Sequence, residues 1–209
     1  MFFRLKETGR LAQCEYFELD FPDVTMQKVA LNANGYHLLP CDLRDMESTK
    51  AKLEAAGIDK SAPTLFISEC VLIYMDAQFS SRVISWSAEY FDDVSYVLYE
   101  QILPDDSFGR VMMANIKARG CDLLSIRDYP TLEAQIARFR VLNFEAVQAW
   151  DMNQIYYQFL DAAERAKREK LEIFDEVEEF HLLQAHYCVV VASKHAHTST
   201  AKALTLVKQ

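Results

Sequence analysis

Three carboxylates close three successive apolar runs. Asp20 ends the run Glu15-Tyr-Phe-Glu-Leu-Asp20, just ahead of Pro22. Asp42 follows His37-Leu-Leu-Pro-Cys41, and Glu69 follows Thr64-Leu-Phe-Ile-Ser68. In an open α/β sheet, ligands bind beyond the carboxyl ends of the strands. An acid after one strand can there accept two ribose hydroxyls. An acid after the next can accept an adenine amino group while a neighbouring backbone N–H donates to the ring. An acid near the sheet centre can hold an ammonium. One acid per strand end therefore fits an adenosine joined to an amino acid, which is S-adenosylmethionine. Taken singly, each acid is equally well explained as a strand-end or helix-capping residue.

The other polar groups suggest less. His181 and His186 lie five apart and His195 and His197 two apart, with no cysteine or acid placed to complete a zinc motif, so no metal is expected. Five cysteines (Cys14, Cys41, Cys70, Cys121 and Cys188) stand singly, as free thiols of a reducing compartment do. The formal charge is -9, from 22 Lys+Arg against 31 Asp+Glu, and this counts against a nucleic-acid partner. The acidic run Glu172 to Glu179 follows Arg165, Lys167, Arg168 and Lys170, and reads as a solvated helix face with paired charges, or else as a contact surface for a partner. The longest apolar runs fall far short of the roughly 20 residues of a membrane span. Arg4, Lys6, Glu7 and Arg10 interrupt any secretory signal, so the expected compartment is the cytoplasm and no membrane partner is expected.

Around these residues, strand-like and helix-like segments alternate, which predicts a doubly wound α/β sheet. Strands are expected at 15–22, 37–45, 64–74, 94–102, 143–151 and 186–193. The segment from Thr64 reads as a buried strand running into a loop. Helices are expected at 24–33, 45–56, 77–91, 108–118, 131–139 and 155–160, with a long charged helix at 164–183. Phe79, Val83 and Trp86 share one face of the 77–91 helix and are expected in the core. The last two strands suit an antiparallel final hairpin. A single domain, 1–194, is expected, with 195–209 as a frayed C-terminal tail, in a monomer.

Several motifs occur in order: Tyr16-Phe-Glu-Leu-Asp20-Phe-Pro22, Cys41-Asp42-Leu43-Arg44-Asp45, Ser68-Glu69-Cys-Val-Leu-Ile-Tyr74-Met75, Tyr99-Glu100-Gln101, Phe108-Gly-Arg-Val-Met112 and His186-Tyr-Cys-Val. Together they closely resemble the leucine carboxyl methyltransferase family, from the first residues to about Lys194. The resemblance implies a class I S-adenosylmethionine-dependent methyltransferase fold, Rossmann-like. It implies methyl esterification of the C-terminal leucine carboxylate of the protein phosphatase 2A catalytic subunit, a modification that regulates holoenzyme assembly. It also implies that Asp20 holds the ribose, that Asp42 and Leu43 hold the adenine, and that Glu69 contacts the methionine end. Tyr74 falls in the loop where such enzymes line the substrate carboxylate, although an aromatic closing the core beneath that loop explains it equally well.

The implied chemistry needs no general base. A terminal carboxylate, with an ordinary pKa of about 3.3–3.7, is already a nucleophile at neutral pH. Catalysis reduces to aligning it with the methyl group and excluding water. One departure stands out: no G-x-G occurs, the glycines being isolated at Gly9, Gly35, Gly57, Gly109 and Gly120. The first strand and glycine-rich turn of this class are therefore expected to be missing, and Phe2 to Lys6 resembles the stretch just after that turn. Two other readings remain open. One is a related family that methylates a hypermodified tRNA base and carries kelch repeats, for which no period near 50 residues is found. The other is an inactive fragment that at most binds a partner.

Overall fold

Proline and glycine punctuate the early chain, and the elements begin where they stand. The computed structural model describes residues 1–10, 14–28, 30, 33–171, 173, 175–195 and 197. It divides into two units, Met1–Asp59 and Lys60–Gln209. Most of the 195–209 tail lies outside the described residues.

The first unit contains α1 (Phe2–Glu7), β1 (Tyr16–Asp20), α2 (Pro22–Gln27), β2 (Tyr36–Pro40) and α3 (Met46–Ala55). β1 and β2 pair in parallel, from Tyr16 opposite Tyr36 to Asp20 opposite Pro40. Phe2, 1% exposed, packs its ring 5.6 Å from Tyr16 and 5.2 Å from Tyr36, so α1 is fastened by an aromatic cluster. α2 starts earlier than the expected 24–33 helix, because Pro22 supplies a preset φ at its first position. Of the rest of that expected helix, 29, 31 and 32 lie outside the described residues. Gly35, at φ +77, turns the chain into β2, and a side chain there would press on the Cys14 carbonyl at 3.3 Å. Asp45 caps α3 by accepting the Ser48 N–H at 3.1 Å.

The second unit contains β3 (Thr64–Glu69), a 3₁₀ turn (Leu72–Tyr74), α4 (Ala77–Tyr90), β4 (Val94–Gln101), α5 (Ser107–Ala118), α6 (Leu132–Val141), β5 (Ala146–Asp151), α7 (Met152–Gln158), α8 (Ala162–Glu169), α9 (Val177–Ala185) and β6 (Tyr187–Ser193). Its sheet runs β3-β4-β6-β5. β3 and β4 are parallel, while β6 lies antiparallel to both β4 and β5, so the final hairpin is antiparallel as expected. Leu98 of β4 and Val190 of β6 are fully buried. Tyr96 stacks on Phe66 at 4.8 Å and meets Phe139 and Phe144 edge-on. Among the described residues no helix is long and apolar enough to cross a membrane.

Three expectations are corrected. β3 is not buried: among the described residues it pairs with β4 alone, and Leu65 and Ile67 are 43% and 46% exposed. The buried face of α4 is Ser80, Val83, Ile84, Ser87 and Ala88, with Phe79 and Trp86 only half-buried. Small residues let this helix lie close to its neighbours, and the large rings are displaced to its flanks. The charged 164–183 segment forms two helices, not one. α8 buries no residue, so no packed face carries it past Glu169.

Candidate functional site

In the first unit, parallel pairing sets Asp20 and Asp42 at neighbouring strand ends. Asp20 is the last residue of β1, and its carbonyl accepts the Cys41 N–H at 2.8 Å, immediately before Asp42. The side chain of Asp20 accepts the Phe21 N–H at 2.9 Å and the Lys28 ammonium at 3.0 Å. Lys28 also reaches Glu18 at 2.7 Å, and Tyr36 donates to the other oxygen of Glu18 at 2.8 Å. Burial alone would raise the Glu18 carboxyl, but the Lys28 and Tyr36 hydrogen bonds outweigh it and hold the group below its usual range. Burial, with Glu18 adding to it, pushes the Tyr36 phenol up to about 12. Lys28 is raised, chiefly by its bonds to Glu18 and Asp20.

Asp42 is held in a fork by Arg44, whose Nε and Nη2 lie 2.9 and 2.6 Å from its two oxygens. The Arg44 backbone N–H adds a third bond at 3.0 Å. These contacts, the guanidinium first, lower the Asp42 carboxyl. Leu43 follows in the turn, half-buried.

In the second unit, Glu69 ends β3 opposite Tyr99 and is exposed. No hydrogen bond or ion pair engages its carboxylate among the described residues. It lines a shallow cleft of about 350 Å³ with Ile67, Ser68, Val97 and Tyr99. Cys70 follows in a left-handed conformation at φ +50, which is strained for a residue with a Cβ. Burial, then the charges of Glu100 and Glu69, push its thiol up to about 11. The chain then enters the 3₁₀ turn, where Leu72 and Ile73 are buried and Tyr74 is 37% exposed. Burial raises the Tyr74 phenol.

The acids were legible from the strand ends, but the groups that hold them were not. Lys28 and Arg44 pair with acids that the sequence offered as ligand contacts. Glu100 and Arg138, both 1% exposed as side chains, form an ion pair at 3.4 Å that sequence reasoning missed. Burial raises the Glu100 carboxyl against the pull of Arg138. The signal was present: a carboxylate inside the apolar Val94-to-Ile102 run requires a partner. The chemistry of the donors fits S-adenosylmethionine. In the first unit Asp20 and Asp42 retain lone pairs for a ligand's donors, and in the second Glu69 carries a carboxylate that nothing engages among the described residues.

Comparison with known proteins places this arrangement. A structure of an S-adenosylmethionine-dependent methyltransferase from Mesorhizobium loti matches at a TM-score of 0.53 and 14% identity, over 91% of this chain and 85% of that one. The fold is the one these S-adenosylmethionine-dependent methyltransferase structures share, a mixed sheet flanked by helices. The leucine carboxyl methyltransferase family model matches residues 1–88. The chain is 42% identical to the leucine carboxyl methyltransferase 1 homolog of Arabidopsis thaliana, over 87% of this chain and 62% of that protein. It is 31% identical to leucine carboxyl methyltransferase 1 of Rattus norvegicus, over 98% of this chain and 69% of that protein. It is also 35% identical to tRNA wybutosine-synthesizing protein 4 of Homo sapiens, over 93% of this chain and 32% of that protein. The chain belongs to the leucine carboxyl methyltransferase family, within which the wybutosine-related proteins are also relatives. It spans 62% of the Arabidopsis relative's length and 32% of the human one's.

Proposed function

We propose that this chain is the methyltransferase domain, residues 1–194, of a cytoplasmic carboxyl O-methyltransferase that esterifies a C-terminal leucine carboxylate, that of the protein phosphatase 2A catalytic subunit. The observation that carries this reading is Glu69, an exposed and unengaged carboxylate at the end of β3, five residues ahead of the half-exposed Tyr74. Asp20 would bind the ribose, Asp42 and Leu43 the adenine, and Glu69 the methionine end. S-adenosylmethionine, when bound, supplies an electrophilic methyl group. Tyr74 orients the substrate carboxylate, which is ionised at neutral pH and needs no base. The missing first strand and glycine-rich turn belong to the same proposal, supported by the absence of any G-x-G in the 209 residues.

Two experiments test it. S-adenosylhomocysteine is titrated calorimetrically into this chain and into the chain carrying a family-like N-terminal extension. Binding by the extended chain alone is expected, and equal binding by both would show that the strand-end acids suffice without the glycine turn. In the extended protein, labelled methyl is expected in a peptide ending in a free leucine carboxylate and not in its amide. The similarity to the human wybutosine-synthesizing protein favours one other reading, a hypermodified tRNA base. Label in tRNA and not in peptide would establish that reading, against which the charge of -9 counts.

A further inference from the structure

The turn that carries Tyr74 is tethered from two sides by side chains distant in sequence. Within it the Tyr74 and Met75 N–H groups close on the carbonyls of Val71 and Leu72, at 3.3 and 3.2 Å. The Ile73 N–H goes instead to Oε1 of Glu100 at 2.8 Å. The Ile73 carbonyl accepts the Ser125 N–H at 3.2 Å, and the Ser125 hydroxyl lies 3.4 Å from the carbonyls of both Leu72 and Ile73. Glu100 is itself immobilised. Its Oε2 faces Arg138 Nη1 at 3.4 Å, and the Arg138 guanidinium lies 4.0 Å from the centre of the Tyr129 ring. The Tyr129 hydroxyl in turn bonds Ser81 of α4 at 2.7 Å.

Fold stability alone gives little reason for this arrangement. Two charges removed from water at 1% exposure often contribute no more than an apolar pair of the same volume. Nε and Nη2 of Arg138 are buried without a hydrogen-bond partner, a further cost. What the carboxylate does supply is an acceptor for one backbone N–H, next to the only partly exposed residue of the turn. It does so just after Cys70, whose φ of +50 persists only where its surroundings over-determine it.

We infer that Glu100 is a positioning residue for Tyr74: it grips the Ile73 N–H so that the phenol is presented in one orientation beyond the end of β3, with Arg138 compensating its charge. The substrate-facing role of Tyr74 comes from the proposed function, and the inference rests on that reading for its consequence but not for its geometry. With the grip intact, no ordering of the turn is needed when a carboxylate substrate arrives. With the grip lost, binding must order the turn first, and apparent affinity falls by the fraction of turns correctly placed.

The test uses the full chain with 3-fluorotyrosine placed at position 74 alone. Glu100→Gln/Arg138→Met removes both charges and keeps an oxygen for Ile73. Glu100→Leu/Arg138→Met removes the oxygen as well, and apolar replacement of a buried pair is the substitution best tolerated by the fold. Parent and Gln variant are expected to give the same single ¹⁹F resonance, and the Leu variant a shifted or multiple signal while it still unfolds cooperatively, with its melting temperature lowered by no more than the loss of one buried hydrogen bond allows. In the extended protein, the Leu variant is expected to bind a leucine-terminated peptide about tenfold more weakly, with S-adenosylhomocysteine affinity within about twofold. A folded Leu variant with the parental resonance overturns the inference. Should that variant not fold, amide exchange in the parent decides: Ile73 exchanging only through global unfolding is expected, and exchange faster than its neighbours in the turn overturns the tether. Failure of the parent to bind peptide would instead count against the proposed function, and the resonance and exchange results would still decide the role of Glu100.

Discussion

An acid at a strand end serves a ligand only as far as its neighbours leave it free, and the three acids differ in this. Among the described residues no hydrogen bond or ion pair engages the Glu69 carboxylate, while Asp20 shares Lys28 with Glu18 and Asp42 is forked by Arg44. The Asp42–Arg44 pair is exposed, with side chains 36% and 54% accessible, and such pairs contribute about 0–1 kcal/mol. Asp42→Asn is therefore expected to change unfolding stability by less than about 1 kcal/mol, while weakening S-adenosylhomocysteine binding by the extended protein about tenfold. Urea denaturation and calorimetry separate the two effects, and a loss of stability without loss of binding would make Asp42 merely structural. The pH dependence has a definite sign. Arg44 lowers the Asp42 carboxyl in the folded state, so its contribution is complete above the unfolded value of about 3.9 and disappears as pH falls through the folded one. In Arg44→Ala the Asp42 carboxyl resonance is expected to titrate at higher pH than in the parent. The acids were readable in the sequence because strand-end position is local. Their partners were not, since Lys28 meets Glu18 and Asp20 only after the chain has turned through α2.

At the level of elements, the junction between β4 and α5 shows how closely local spacing can be set. Asp106 caps α5 by accepting the Gly109 N–H at 2.7 Å and also bonds the buried His186 at 3.0 Å. Gly109 has no positive φ, and its requirement is space. A Cβ there would meet the Leu103 carbonyl oxygen and come within 2.8 Å of the Pro104 carbonyl carbon, both of them backbone atoms with little freedom to move. Gly109→Ala is thus expected to cost about 1–3 kcal/mol, at the upper end if the helix start must shift. A denaturation midpoint equal to the parent's would show that the close approach relaxes freely. Strand positions and most helix positions were legible, because proline, glycine and apolar periodicity act over a few residues. The face of α4 was not, since large rings and small residues compete and the helix turned Ser80 and Ser87 inward. Nor was the end of α8 at Glu169, since α8 buries no residue that would hold the helix further.

For the molecule as a whole, two opposed effects govern how copies meet. The charge of -9 keeps them apart. β3 draws them together, since among the described residues it pairs on one side only and exposes Leu65 and Ile67 at 43% and 46%. Taken alone, Thr64-Leu-Phe-Ile-Ser reads as a buried parallel strand, and the pairing of β3 shows otherwise. Charge repulsion between copies is screened over a Debye length of about 10 Å at 0.1 M salt, while apolar contact and strand pairing are not weakened in this way. The parent is therefore expected to be monomeric at low salt and to self-associate as salt is raised. Leu65→Lys places an ammonium at a 43% exposed position of β3 that does not line the Glu69 cleft. It is expected to abolish the salt-induced association while changing stability by less than about 0.5 kcal/mol. Sedimentation across a salt series measures the first and thermal unfolding the second. Association that persists in Leu65→Lys would place the contact away from β3, and association that weakens with salt in the parent would make it electrostatic instead of apolar.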